Sequence, residues 1–419
     1  MQDTLLLDPV RILRGPGTPL KHGAVLIEGG VLSGFDGDAR QRGKALGLNP
    51  TTASEQIVAP CLVDPHSLLP APVSGPVETL GSLRRCAAAA GYGQVALLPR
   101  AESWRDQPER LCGVQSTEPS DVLFSLWGGF SLGGRGEELA PHADLLEHGA
   151  IGLADDDRMI SLALLERGLA LGEMGSRPVL LAARDPLLQS DGFVREGVET
   201  LRAGWPPDPL ASELQPLNQL LTLQQRHPER QLRLMNLSTG KAVEALQQVE
   251  AAPSSSVCWW HLLADRGSLD ATDPGWGVRP SLGGSKDRNT LRSALRDGLI
   301  QAVAVHAVPL DEEDMLLPLD QRPPGLSGHH LVLPALWSAL VLEEGFSVEE
   351  LWQALSFGPS AFINRPAESL TVGSRRWLLF DPNHPWTIRL DDPAAPGASN
   401  LPWLGKKLRG RVTACGLSH

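Results

Sequence analysis

An aspartate and a histidine two residues apart could support metal or proton-transfer chemistry early in the sequence. The stretch DPHSLLP, residues 64–70, follows an apolar run and contains Asp64 and His66. Because side chains alternate between the two faces of a strand, a second histidine two positions later would put both imidazoles on one face. Leu68 occupies that position. This stretch alone therefore does not supply a pair of metal ligands.

Two other motifs could carry hydrolytic chemistry. The segment GFSLG, residues 129–133, fits the G-x-S-x-G pattern of a nucleophile turn, but glycine-rich sequence follows it where a helix should begin. We favour a turn. Asp155, Asp156 and Asp157 could act as paired acids, yet three adjacent carboxylates cannot all face one cleft from a strand, and we favour a structural role.

Composition narrows the class of protein. The 419 residues carry a formal charge of −12, with a sequence pI near 5.4 and 42% hydrophobic residues. Without clustered lysine and arginine, nucleic acid is not an expected partner. The first fifteen residues contain no long apolar segment, and five scattered cysteines suit a reducing compartment. We expect a cytoplasmic protein that does not bind membranes.

The apolar pattern predicts a barrel beside a smaller β unit. Residues 4–58 contain short strand patterns, with a hairpin at Gly29-Gly30, and eight strand patterns alternating with helical ones follow from Cys61. Such alternation predicts an α/β fold, a (β/α)8 barrel. Strand patterns return from residue 370, so we expect both chain ends to share one β-sandwich. The predicted boundaries are 1–59 and 367–419 for the β domain and 60–366 for the barrel.

Several stretches, in this order and spacing, resemble the dihydroorotase branch of the amidohydrolase superfamily nearly from end to end. They are VDPHSLLP (63–70), GAIGLADDD (149–157), LSTGKAVEAL (237–246), RPSLGGSKDRNTL (279–291) and DGLIQAVAVHAVP (297–309). The resemblance implies a TIM-type barrel whose mouth holds zinc, often two ions. The metal activates a water that opens or closes the dihydroorotate ring, and an aspartate on the last strand handles the proton.

Carried over position by position, the resemblance retains only His66 and Asp155 among the six metal and acid-base positions. The replacements are Leu68 for the second histidine of the first strand, Ala182 and Asn236 for two further ligand histidines, and Val305 for the catalytic aspartate. Pro70 and Arg100 stand where an arginine and an asparagine would bind substrate, and His306 follows Val305. Leu, Ala and Val cannot coordinate an ion, and Asn is a poor substitute for imidazole.

We therefore predict a dihydroorotase-like protein that has lost zinc-dependent hydrolysis, with no catalytic residue and no zinc cofactor. Some members of this family are inactive and bind aspartate transcarbamoylase, so the resemblance implies that enzyme as partner, and we also expect a homo-oligomer. The alternative is an active cyclic amidohydrolase with a reduced metal site, in which His261 or His306 approaches His66 and Asp155. A third hypothesis is a sensor in which Arg100 and Arg279 bind an anionic pyrimidine precursor.

Two pairs of adjacent aromatic residues bear on the barrel mouth. If Trp259 and Trp260 continue a strand, they point to opposite faces, so at least one belongs to the core and bulky rings could plug the former pocket. His329 and His330 would likewise diverge on a strand. Neither pair by itself predicts a binding site.

Overall fold

Both ends of the chain contribute to one six-stranded sheet. The structure, a computed structural model, describes residues 4–70, 77–100, 104–111, 122–156 and 159–417. The strands of this sheet, numbered along the chain, are β1 (Thr4–Ile12), β2 (Lys21–Glu28), β3 (Val31–Phe35), β4 (Thr51–Pro60), β16 (Trp377–Thr387) and β17 (Lys407–Cys415). Their order is β17-β16-β4-β1-β2-β3. The expected sharing of one β unit by the two chain ends is confirmed.

The predicted hairpin lies within this sheet. Strands β2 and β3 pair antiparallel and Glu28 faces Val31, so Gly29 and Gly30 form a two-residue turn. Both glycines have positive φ, 56° and 80°, which a tight hairpin turn requires and which glycine adopts without steric cost. A short helix, α1 (Asp36–Ala45), follows. This helix was not predicted, because it is polar, buries only Ala39 and Gly43 and has no apolar stripe.

In the described part of the chain, eight parallel strands form the barrel, as predicted. They are β5 (Leu62–Ser67), β6 (Tyr92–Leu97), β7 (Leu123–Leu126) continued by β8 (Gly128–Gly129), β9 (Leu153–Ala154), β10 (Val179–Ala182), β13 (Leu232–Met235), β14 (Ser254–Cys258) and β15 (Ala302–Ala304). Two short strands, β11 (Val194–Arg195) and β12 (Pro207–Asp208), pair outside it. The first and last barrel strands meet just past their ends, where the Leu68 amide donates to the Ala307 carbonyl at 2.9 Å.

Helices separate the barrel strands and cover the outside. They are α2 (Leu80–Ala89), α3 (His142–Glu147), α4 (Leu162–Leu171), α5 (Pro186–Gln189), α6 (Val198–Ala203), α7 (Ala211–Arg226), α8 (Gly240–Gln247), α9 (Ser285–Arg296), α10 (Glu312–Leu316), α11 (His329–Leu336), α12 (Val348–Trp352) and α13 (Gly358–Phe362). π-Helical segments Trp337–Glu343 and Gln353–Phe357 continue α11 and α12. Within the described part of the chain, no helix is long and apolar enough to cross a membrane.

Apolar side chains fill the barrel interior. One buried cluster includes Val63 and Leu68 from the first strand region, Trp127 from the third, Ala182 from β10 and Met235 from β13. Trp127 is fully buried, and its indole Nε1 donates to the Pro65 carbonyl at 3.0 Å. This hydrogen bond satisfies the polar atom of a large ring that fills space between strands. The barrel is therefore packed across its width at the level of Trp127.

The two aromatic pairs do not lie on strands. Strand β14 ends at Cys258, and Trp259–Leu262 form a 3₁₀ turn in which Trp259 and Trp260 are both buried. The expectation of alternating faces was wrong because the backbone turns before the first tryptophan. The histidine pair opens helix α11, where His329 and His330 are also buried.

Candidate functional site

The mouth of the barrel brings His66 and His306 together. His66 lies on β5 and His306 follows β15, and their Nδ1 atoms are 3.1 Å apart. On the other side of the His66 ring, Nε2 lies 2.8 Å from the hydroxyl of Ser256 on β14. If Ser256 donates to Nε2, the Nδ1–H of His66 donates to His306, and both nitrogens of His66 are hydrogen bonded in its neutral form.

Burial keeps His66 neutral. The ring is fully enclosed, and desolvation, followed by the neighbouring His306, lowers the pKa of His66 well below its usual value. Proton uptake at this imidazole is therefore opposed at physiological pH. A neutral, hydrogen-bonded histidine pair is the state that this environment favours.

Asp64 joins the first and last barrel strands through a second set of contacts. Its Oδ1 accepts from the Val305 amide at 3.1 Å, and its Oδ2 accepts from the Ser67 hydroxyl at 2.5 Å and His329 Nε2 at 3.0 Å. Asp64 and His329 are both buried. The carboxylate thus accepts from a backbone donor and also binds a histidine that lies 265 positions away in the sequence.

Asp155 directs its carboxylate to the turn after β8. Oδ1 accepts from the amides of Phe130 and Ser131, each at 2.9 Å, and Oδ2 accepts from the Ser131 hydroxyl at 2.5 Å. Burial is the largest influence on this group and raises the pKa of Asp155 to about 6, although its three hydrogen bonds act in the opposite direction. These donors occupy three of the roughly four lone-pair positions of the carboxylate and direct it towards the turn after β8.

The same contacts explain GFSLG. Ser131 hydrogen bonds to Asp155, while His142 Nε2 lies 2.8 Å from the Phe130 carbonyl and not from the serine hydroxyl. No α-helix follows, since residues Leu132–Gly134 form a 3₁₀ turn with Gly133 at φ 59°. This geometry is that of the glycine-rich turn that we favoured over a nucleophile elbow.

The substituted positions lie in the packed barrel. Leu68, Ala182 and Met235 belong to the apolar cluster of the interior, and Val305 is 2% exposed. Val305 offers only its backbone amide to the network, through Asp64. Asn236 follows Met235 and takes a left-handed backbone conformation with φ 49°, as does His306 with φ 46°. This conformation is uncommon outside glycine, and asparagine and histidine are among the residues that adopt it most often.

A small cavity remains between these residues. Its volume is about 10 Å³, and Ala182, Met235, Asn236 and His306 are among the residues that line it. A cavity needs about 10–15 Å³ to hold one water by this measure, whereas pockets for drug-sized ligands run to about 300–1,000 Å³. The described residues thus leave room for one water at this point, not for a pyrimidine ring.

Asn236, which lines the cavity, and the nearby His261 have buried polar atoms without hydrogen-bond partners among the described residues. Neither side-chain atom of Asn236 that can hydrogen bond has a partner among the described residues, and Nδ1 of His261 also lacks one. His261 Nε2 lies 3.0 Å from the Pro280 carbonyl, and burial lowers the pKa of His261 to about 4. An ordered water in the cavity would satisfy the amide of Asn236.

The structure defines the positions of the two arginines that the sensor hypothesis assigns to anion binding. Arg100 forms an ion pair with Asp156, with 3.3 Å between Nη1 and Oδ1, at a partly exposed position. Arg279 precedes Pro280, whose carbonyl contacts His261. Asp157 lies outside the described residues.

The zinc site that the resemblance implies requires at least three protein ligands in catalytic enzymes. Within the described ranges, no three His, Cys, Asp or Glu side chains lie close enough together to hold an ion. The two imidazoles of His66 and His306 hydrogen bond to each other, and Asp155 is engaged elsewhere. The residues present here do not fit that site.

Three residues of this region were not predicted from the sequence: Ser256, Trp127 and His329. Each lies far from β5 along the chain but contacts it in space: Ser256 at His66, Trp127 at Pro65 and His329 at Asp64. The place of Trp127 could have been predicted, because an aromatic residue at the end of a barrel strand points either into the core or into the mouth. For Ser256 and His329 the sequence contains no pattern that predicts their contacts.

Comparisons with known proteins agree with the fold. No protein-family model matches the chain. The solved structures of L-hydantoinase from Arthrobacter aurescens (TM-score 0.78, 16% identity, 97% of this chain and 93% of that chain) and D-hydantoinase from Thermus sp. (TM-score 0.73, 16% identity, 99% and 94%) share its architecture. At this identity the likeness concerns the fold alone, that of TIM-barrel amidohydrolases.

Relatives found by sequence similarity identify the family more specifically than the solved structures do. The dihydroorotase of Thermus aquaticus is 27% identical over 422 residues, which cover 97% of this chain and 96% of that protein. A probable dihydroorotase-like protein of Synechocystis sp. is 31% identical over 392 residues, which cover 85% of this chain and 87% of the relative. On this sequence similarity, and with the barrel and accessory sheet described above, the chain belongs to the dihydroorotase-like proteins of the amidohydrolase superfamily.

Proposed function

We propose that this chain is a non-catalytic dihydroorotase-like protein that acts as a partner or regulatory subunit of aspartate transcarbamoylase. The observation that carries the loss of catalysis is the packing at the barrel mouth. Apolar or amide side chains stand at four positions where the family resemblance implies catalytic groups, and the cavity that two of them, Ala182 and Asn236, help to line is about 10 Å³. Hydrolysis of dihydroorotate requires both a pocket that holds the ring and a group that transfers a proton.

The acid-base requirement supports the same proposal. Ring opening needs an activated water and a residue that transfers the proton between water and the ring nitrogen. Val305 has no titratable group, and His306 beside it is held by His66. A metal-bound water becomes a nucleophile near neutral pH only when its ion is firmly held with a position left open. Two imidazoles that bond to each other do not provide such a site.

A direct test is metal analysis of protein purified without chelator, alongside a dihydroorotase assay in both directions with added zinc. The Thermus aquaticus enzyme serves as the positive control. We expect less than stoichiometric zinc and no turnover above the uncatalysed rate. Stoichiometric zinc that disappears in His66→Ala or Asp155→Ala, with turnover, would refute the proposed loss of catalysis.

The partner is the second part of the proposal. The family includes inactive members that bind aspartate transcarbamoylase, and a related protein named dihydroorotase-like shares 31% identity with this chain. A barrel that no longer needs its mouth still offers a large exterior for assembly. The partner surface, and the homo-oligomer that we also propose, involve the outside of the barrel or the six-stranded sheet.

Co-expression with aspartate transcarbamoylase from the same organism tests the partnership. Size-exclusion chromatography with light scattering should give one complex of defined mass and fixed stoichiometry. A matched run with an unrelated TIM-barrel protein controls for non-specific association. Separate elution of the two proteins at micromolar concentrations would contradict the partnership without bearing on catalysis.

An active cyclic amidohydrolase with a reduced metal site is the second candidate. The observation that favours it is the set of unpartnered atoms near His306, namely the Asn236 amide and Nδ1 of His261. A rearrangement that separates His66 from His306 could direct these groups to one ion. The zinc analysis above decides between the two candidates.

Binding of an anionic pyrimidine precursor without turnover is a further proposal, through Arg100 and Arg279. Because a ligand that binds only the folded state raises stability, dihydroorotate or carbamoyl aspartate should raise the melting temperature. Replacing Arg279 with Gln should abolish that increase. An unchanged melting temperature at millimolar ligand would exclude this role.

A further inference from the structure

A cleft on the outside of the barrel combines apolar walls with positive charge. It lies where the start of β17 meets α9 and the π-helical segment after α11, and its volume is about 360 Å³. This falls in the range of small-molecule pockets, about 300–1,000 Å³. Six apolar residues line it: Leu263, Ala335, Ala339, Ile388, Trp403 and Leu408. We call it the lysine cleft, after Lys406 and Lys407, which also line it.

Three cations face this cleft. Lys406 and Lys407 are exposed, and neither forms an ion pair with an acidic residue in the described part of the chain. The third cation, Arg292, is 8% exposed, and its guanidinium is fixed by the Leu262 carbonyl and by Glu344, each at 2.7 Å. One further carboxylate, Glu343, lines the cleft. With Glu344 engaged by Arg292, the lysines leave the cleft net positive.

This placement of lysine is unusual for the chain. The sequence contains six lysines and carries a formal charge of −12. Two of the six are adjacent and stand at one cleft of an otherwise acidic protein. Positive potential in such a recess attracts anions more strongly than scattered surface charge does.

The backbone under the lysines is rigid. Lys407 pairs with Thr387 in the sheet, and the Ile388 amide donates to the Lys406 carbonyl at 3.0 Å. The Gly405 amide donates in turn to the Ile388 carbonyl at 2.9 Å. The ammonium groups therefore extend from a fixed platform beside the apolar wall.

Trp403 forms part of that wall in a strained conformation. Its φ is 58°, which a bulky residue rarely adopts, and such strain concentrates at binding and active sites. Its ring packs against those of Trp260 and Trp259, with centroids 5.0 and 6.1 Å away. The indole is half-buried, so it offers the cleft a flat surface held in place from behind.

We propose that the lysine cleft binds a small organic anion, a carboxylate carried on a flat apolar body. The body would lie against Trp403 and Ile388, and the carboxylate would accept from Lys406 and Lys407. This site is separate from the barrel mouth, and the proposal does not depend on the proposed function.

Calorimetric titration with 2-naphthoate tests this proposal, with neutral 2-naphthamide as the matched ligand. We expect saturable binding of the acid, and binding of the amide weaker by about tenfold or more, since charge-assisted hydrogen bonds are roughly twice as strong as neutral ones. Lys406→Gln with Lys407→Gln should weaken binding of the acid by about tenfold and leave binding of the amide unchanged. Lys286→Gln, an exposed lysine of α9 that does not line the cleft, is the matched control and should change neither.

A second variant fills the cleft without removing a charge. Ser338 is half-buried on the cleft wall, and Ser338→Leu should abolish binding of both ligands while circular dichroism and the melting temperature remain those of the parent. The proposal is overturned if the parent protein shows no saturable binding. Equal affinities for acid and amide, or full binding by Ser338→Leu, overturn it as well.

Discussion

The imidazoles of His66 and His306 hydrogen bond to each other through Nδ1 atoms 3.1 Å apart, across 240 residues of sequence. His66 belongs to the first barrel strand and His306 follows the last, so the contact spans the closure of the barrel. Asp64 bridges the same two strands through the Val305 amide. Polar residues where the first and last barrel strands meet thus stabilise the closed barrel.

Removing His306 should weaken that closure. His306→Ala leaves Nδ1 of the buried His66 without its partner, and an unsatisfied buried group costs about 1–3 kcal/mol. We expect the free energy of unfolding, from urea denaturation, to fall by about that amount. His22→Ala, at an exposed position on β2, should change it by no more than about 0.5 kcal/mol. Equal effects of the two substitutions would contradict a role for the pair in barrel closure.

The buried Asp64 carboxylate should contribute more to stability than an exposed carboxylate does. Asp64→Asn keeps the shape but places an amide where Oδ2 accepts from Ser67 and His329. Breaking a buried pair by changing one partner costs about 3–5 kcal/mol. Glu244→Gln, at the exposed pair with Lys241, should cost at most about 1 kcal/mol. Thermal and urea unfolding of both variants would reveal the difference, and similar losses would show that Asp64 is not structurally special.

Restoring one histidine should not restore a zinc site. Leu68→His buries an imidazole within the apolar cluster of the barrel interior, and we expect a loss of about 2–4 kcal/mol in unfolding free energy. Leu68→Met, which conserves volume, should cost less than about 1.5 kcal/mol. One equivalent of zinc should leave the urea midpoint of either variant unchanged. A zinc-dependent rise for Leu68→His would instead favour the reduced metal site.

Asp155 should make stability depend on pH in a defined direction. Its pKa is about 6 in the folded protein and near 3.8 in the unfolded chain, so the folded state binds the extra proton between these values. The contribution is fully present below about pH 3.8 and is lost as pH rises through about 6. Relative to Asp155→Asn, the wild type should lose up to about 3 kcal/mol between about pH 4 and pH 8.

Buried histidines change the pH dependence of stability in the opposite direction. Their contribution is the same in the wild type and in Asp155→Asn, so it cancels in this comparison. The depressed pKa values of His66 and His261 destabilise both proteins equally as pH falls below about 6.5. Urea denaturation of the two proteins across the pH range measures the difference directly. A difference that does not change with pH would mean that Asp155 is ionised throughout.

Much of the fold follows from local patterns. Apolar runs such as CLVDPHS and IGLADD mark barrel strands β5 and β9, because strands buried on both faces are continuously apolar. Thr239 caps α8 by accepting from the Ala242 amide at 3.2 Å, in keeping with its place before GKAVEALQ. The turn that contains Trp259 and Trp260 could not be predicted in this way, since nothing in SVCWWHL shows that the strand ends at Cys258.

For the candidate site, the sequence by itself determined which chemical groups are available. Leu68, Ala182 and Val305 cannot bind a metal or move a proton in any fold, and this followed from residue type and position alone. Only the tertiary structure decided how the remaining groups are used. It pairs His66 with His306 and Ser256, turns Asp155 towards Ser131 and fills the barrel with Trp127. These contacts join residues from 24 to 240 positions apart, and packing over such separations leaves no signature in the local pattern of residues.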